Sequence, residues 1–175
     1  MEEDLTALDL AVREALDLGE IDARTYSPLV LAYIGDAVYE LLIRTRVISR
    51  GSMQVNKMHR KSAGLVKAAT QANLIRALME ELTEEELAVY RRGRNAKSGS
   101  MAKHATMADY RTATGFEALV GYLYLMSRHR RLLELIHDGL EKIGELRTDE
   151  DDRDGETNGT EPDAGMERKR NEETE

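Results

Sequence analysis

The sequence predicts an all-α domain. Only two prolines interrupt its 175 residues, apolar positions recur at three- and four-residue spacing, and no stretch alternates apolar with polar as a half-buried strand does. Residues 4–18 carry Leu5, Leu8, Leu10, Val12 and Leu16, the pattern of a short amphipathic helix. Ser27 followed by Pro28 supplies an N-cap and a proline suited to the first helical position. The second helix so started runs through Leu31, Ile34, Val38 and Leu42 to about Ser49, and Gly51 ends it. A third, long helical region covers about 54–81, with Leu65, Val66, Leu74, Ile75 and Leu78 as its stripe. Thr83 and Glu86 have capping-box spacing for a fourth helix over 84–92. Residues 93–106, rich in Gly, Ser, Lys and Ala, read as a loop. A fifth helix covers about 107–127 and a sixth about 129–145. The fifth is apolar nearly all round from Phe116 to Met126, which makes it the central, buried one.

Charge divides the chain into three parts. Residues 1–22 carry a net charge of −7 and residues 148–175 a net charge of −8, so the middle, 23–147, is net +7 although the whole is −8. The last 28 residues hold almost nothing apolar and cannot offset the entropy of ordering, so they read as a disordered acidic tail. The domain organisation expected is therefore an acidic N-terminal segment with a short helix (1–22), a helical domain (23–147) and a tail (148–175). A basic middle fits a polyanionic partner as well as it fits ordinary solvated charge. The chain has no cysteine, which excludes disulfides, thiolate metal sites and cysteine nucleophiles. No apolar run reaches the ~20 residues of a membrane span. The acidic N-terminus lacks the basic start of a signal peptide, so a cytoplasmic protein without membrane contact is expected.

Two carboxylates stand in apolar helices. Asp36 lies in Leu31-Ala32-Tyr33-Ile34-Gly35-Asp36-Ala37-Val38, and Glu117 in Thr114-Gly115-Phe116-Glu117-Ala118-Leu119-Val120-Gly121. A buried carboxylate must be paired, hydrogen-bonded or bound to a cation. Gly35, Gly115 and Gly121 flank them. A glycine inside a helix costs ~1 kcal/mol, so its presence suggests close approach of another helix. Two such helices crossing would bring two hard oxygen ligands together, a donor set suited to Mg²⁺. For either acid taken alone, core pairing with tyrosine or arginine is the preferred reading. Glu40 is one turn from Asp36, and Arg44 one turn beyond, at the spacing of an i,i+4 pair.

Basic residues gather on the third helix (Lys57, Arg60, Lys61 and Lys67) and around the predicted loop (Arg91, Arg92, Arg94, Asn95, Lys97, Lys103 and His104). Double-stranded RNA is read mainly through phosphates and 2′-hydroxyls, which such elements can reach. The four histidines share no metal-ligand spacing and read as surface residues. Tyr33, Tyr39, Tyr122 and Tyr124 suit a core or a subunit interface better than a base-stacking platform.

Taken together, Tyr33-Ile34-Gly35-Asp36-Ala37-Val38, the basic Arg91–Ser98 stretch and Phe116–Leu125 resemble, in order and separation, the signature segments of ribonuclease III. The similarity covers roughly residues 20–145 and is strongest to the short bacterial branch, Mini-ribonuclease III, which carries no double-stranded-RNA-binding domain. The resemblance implies a ribonuclease III-like endonuclease domain, a helical bundle that forms a twofold dimer. It implies an endoribonuclease that hydrolyses double-stranded RNA with Mg²⁺ as cofactor, leaving 5′-phosphate and 3′-hydroxyl ends. Asp36 and Glu117 would be both catalytic and metal-holding, and the basic residues above RNA-binding. The full-length family has further carboxylates where this chain has Ala32 and Thr114. The branch matures the ends of large-subunit (23S) ribosomal RNA, which implies precursor ribosomal RNA as substrate and a setting among ribosomal proteins during ribosome assembly. The alternative is a non-catalytic RNA-binding or ribosome-associated helical protein with the same fold.

Overall fold

The structure is a computed structural model and describes residues 10–19, 21–97 and 106–146. The tail 148–175, the first residues of the N-terminal segment, Lys103 and His104 lie outside the described residues. Among the described residues there are only helices and turns. Residues 10–15 form α1, and a 3₁₀ turn at Ala23–Thr25 is followed by α2 (Pro28–Ser49), α3 (Val55–Val66), α4 (Ala68–Leu78), α5 (Glu84–Arg94), α6 (Met107–Leu125) and α7 (His129–Lys142). None of the described helices is long and apolar enough to cross a membrane.

The caps set the boundaries. The Ser27 hydroxyl accepts from the Val30 amide, with Pro28 in the first turn of α2. Gly51, at φ +105°, takes the left-handed position just beyond that helix. Thr83 and Glu86 form the reciprocal capping box of α5. Thr106 caps α6 through the Asp109 amide at 3.0 Å.

Helix α6 is the centre. Phe116, Leu119, Val120 and Leu123 are buried, as are Tyr39 and Ile43 of α2, Leu74, Ile75 and Leu78 of α4, and Leu132 and Leu135 of α7, three of the helices that pack on α6. The Tyr39 ring meets Phe116 edge-on at 5.1 Å. Buried Glu86 accepts from Arg131 at 2.8 and 2.9 Å, a two-pronged pair that ties α5 to α7.

Several expectations are corrected. The long third helix is two helices, because Lys67 adopts ψ 147° and breaks the ladder. The carbonyls freed there are taken by side chains: Thr70 donates to Gly64 at 2.7 Å, Tyr39 to Leu65 at 3.2 Å and Gln71 to Val66 at 3.0 Å. The expected loop begins two residues late, since Gly93 and Arg94 belong to α5. His129, expected on the surface, is buried with its ring 5.8 Å from Tyr124.

Candidate active site

The two acidic helices cross at their glycines. A methyl group at Gly35 would run into the Glu117 carbonyl and lie 2.7 Å from the Gly121 nitrogen. A methyl group at Gly121 would meet the Leu31 carbonyl. Only bare backbone lets α2 and α6 approach this closely. Asp36 follows Gly35 directly, and Glu117 is itself a contact point, so the crossing brings the two carboxylates to one place.

They differ in setting. Glu117 is half-buried, and burial, then the charge of Asp36, push its carboxyl up to about 8; a side-chain hydrogen bond from Gln71 opposes the rise. Asp36 is not buried as its apolar surroundings suggested. At roughly 100° per residue it falls between the core face of α2 and its solvent face, and its side chain is exposed. Enough protein still surrounds it that desolvation raises its pKa, with the charge of Glu40 adding to the effect. Glu40 itself pairs with Arg44 at 2.6 Å.

Two carboxyls crowded in a partly desolvated place oppose each other's ionisation, and a cation that displaces the proton from Glu117 relieves both the burial and the repulsion. The donor set is all oxygen, and the Gln71 Oε1 atom, in the side chain that bonds Glu117, is buried with no partner among the described residues. These residues fit a hard divalent ion such as Mg²⁺. Ala32 and Thr114 are both buried, and the Thr114 hydroxyl is spent on the Tyr110 carbonyl at 3.0 Å.

The basic end of α5 lies beside this site. Gly93 approaches Ala118, the residue after Glu117, so closely that a Cβ there would be 2.7 Å from the Ala118 Cβ. Arg91, Arg94, Asn95 and Lys97 are exposed around it. Arg92 donates to the Tyr26 carbonyl at 3.1 Å, so part of its role is to hold the turn before α2. On α3, Lys57 and Arg60 are exposed, while Lys61 is half-buried.

Gln71 was missed in the sequence. Its signal was present, because it stands three and four residues before Leu74 and Ile75, as an amide on an apolar stripe.

The family model described as Ribonuclease III domain matches residues 29–128, the span that contains both carboxylates and the α2–α6 crossing. The chain is 48% identical over 126 residues to Mini-ribonuclease 3 of Enterococcus faecalis, which covers 71% of this chain and 96% of that protein. It is 48% identical over 116 residues to Mini-ribonuclease 3 of Clostridium tetani, covering 66% and 77%. A crystal structure of a Fusobacterium nucleatum protein superposes with TM-score 0.64 at 28% identity, covering 70% of this chain and 97% of that one. With its all-helical bundle and its acidic crossing, the chain belongs to the ribonuclease III family of endoribonucleases, in the short branch of the Mini-ribonuclease 3 proteins.

Proposed function

We propose that the chain is a Mg²⁺-dependent endoribonuclease specific for double-stranded RNA, acting as a homodimer. The observation that carries this reading is the glycine crossing of α2 and α6, which joins Asp36 and Glu117 in one half-buried oxygen site beside a basic helix end. Asp36 and Glu117 would hold the metal. Mg²⁺, when bound, supplies water activation and stabilises charge developing at phosphorus and on the leaving 3′-oxygen. The exposed cations of α3 and of the α5 C-terminus attract phosphates and orient the duplex, while the rigid crossing keeps both carboxylates in register. Hydrolysis on that side of the phosphate leaves 5′-phosphate and 3′-hydroxyl ends.

The reading as a dimer is supported by the face of α2 opposite its core side. Val30, Tyr33, Leu41 and Ile48 fall on one stripe, and Tyr33 is 83% and Leu41 64% exposed. Such a row of large apolar side chains in water marks an interface. The apolar surface of α6, by contrast, is consumed in the core. Tyr39 and Tyr122 are likewise core residues. A twofold dimer offers one acidic site to each of two antiparallel strands. As the resemblance to the short branch implies, the substrate in this reading is a structured ribosomal RNA precursor, that of the large subunit (23S), cleaved in the cytoplasm in the context of ribosome assembly. The test is to incubate the protein with duplex and with single-stranded RNA, in Mg²⁺ and in EDTA. Cleavage of the duplex alone, and only with Mg²⁺, is expected; cleavage in EDTA or of single strands alone overturns the reading.

A further inference from the structure

Gln71 carries more hydrogen-bonding capacity than the fold uses. It is 1% exposed and sits at the start of α4, just after the break at Lys67. Three carbonyls are freed at that break, and each receives one side chain, Gln71 Nε2 taking Val66 at 3.0 Å. Capping therefore accounts for one of its bonds. It does not account for Oε1, which is buried with no partner among the described residues, on a side chain near enough to Glu117 to hold its carboxyl lower than burial alone would. An unmet buried acceptor is costly, and such atoms in native proteins call for a water, an ion or a functional role. A leucine in this stripe would pack without that cost.

We propose that Gln71 is a positioning residue of the acidic site: anchored through Nε2 to the Val66 carbonyl, its amide orients the Glu117 carboxylate and leaves Oε1 to accept from water carried in with a hydrated divalent cation. The inference rests on Asp36 and Glu117 holding that cation. The break between α3 and α4 then has a purpose, since it fixes the amide from the backbone side. Outer partners of this kind typically change metal affinity by about 10–100-fold.

The test uses the full-length protein and Mn²⁺, followed by electron paramagnetic resonance without RNA. Asp36→Asn should abolish tight Mn²⁺ binding. Gln71→Met should weaken it about 10–100-fold, lower kcat with KM for duplex RNA unchanged, and regain cleavage in excess Mn²⁺. Thr70→Val removes the neighbouring cap on Gly64 and should lower Tm while leaving Mn²⁺ affinity unaltered. Wild-type affinity in Gln71→Met overturns the proposal while the metal site stands. Binding indifferent to Asp36→Asn overturns the site itself, and the proposal with it. Should Gln71→Met fail to fold, the Gln71 side-chain amide signal of the wild-type protein decides by NMR. It should move as Mg²⁺ is added, and a signal that stays in place overturns the proposal.

Discussion

Glu117→Gln should inactivate the protein and, in the absence of metal, stabilise it at alkaline pH. The native carboxyl is pushed from its ordinary 4.5 up to about 8. Between those values the native state holds a proton that the unfolded chain has released. Stability must therefore fall as pH rises from 4.5 to about 8 and stay low beyond it. At ~1.4 kcal/mol per tenfold, full ionisation costs ~5 kcal/mol as an upper bound. Water drawn to the exposed rim at Asp36 offsets part of this, so about 2–5 kcal/mol is expected above pH 8. Glutamine keeps the shape and the contact to Gln71 without a charge to bury. For a domain of this size each kcal/mol moves Tm by roughly 2–6 °C. The assay is thermal unfolding of both proteins in EDTA at pH 5 and pH 9. The variant should match wild type at pH 5 and exceed it by several degrees at pH 9. Adding Mg²⁺ at pH 9 should raise the wild-type Tm far more than the variant's. Parallel pH curves for the two proteins would refute the argument that Glu117 is held neutral in the cleft.

Replacing Arg91, Arg94 and Lys97 by alanine, with Arg92 kept for its bond to Tyr26, should weaken duplex binding. Each lost phosphate contact should flatten the slope of log K against log salt by ~0.7–0.9, and an unchanged slope would place the contacts elsewhere. Leu41→Asp on the exposed stripe of α2 should convert a dimer into a species of 19.7 kDa with its helical circular dichroism intact. An unchanged mass in sedimentation would move the interface to another face. Gly35→Ala should cost at least about 1–3 kcal/mol by overpacking and lower cleavage, because the added methyl meets the Glu117 backbone. Wild-type Tm and turnover in that variant would show that the crossing is looser than the structure has it.

The parts of the fold written in local chemistry were readable in advance. Ser27-Pro28, Thr83 with Glu86, and Gly51 mark helix ends because each satisfies or ends a backbone ladder within a few residues of itself. Gly35 and Gly121 forecast the α2–α6 crossing, since a glycine in a helix needs a reason and close packing is the usual one. What depends on distant partners was not readable. The break at Lys67 has no glycine or proline; it is held partly by Tyr39, twenty-six residues from the carbonyl it caps. Gly93 looked like the start of a loop because its neighbours are polar, yet it continues α5 to let the helix press on Ala118. Asp36 looked buried because Tyr33 and Leu41 are apolar, but those residues face solvent, and an unpartnered apolar stripe reads in sequence like core. Lys103 and His104, outside the described residues, stay expectations drawn from the sequence.

The assignment of Asp36 and Glu117 is tested most directly by measuring duplex-RNA cleavage and duplex-RNA binding side by side for wild type, Asp36→Asn and Glu117→Gln in Mg²⁺. Binding rests mainly on phosphate contacts from the basic faces, so both variants should bind with near-wild-type affinity. Cleavage should be lost in each, because either change removes one of the two carboxylates joined at the helix crossing. Near-normal turnover by either variant would contradict the account.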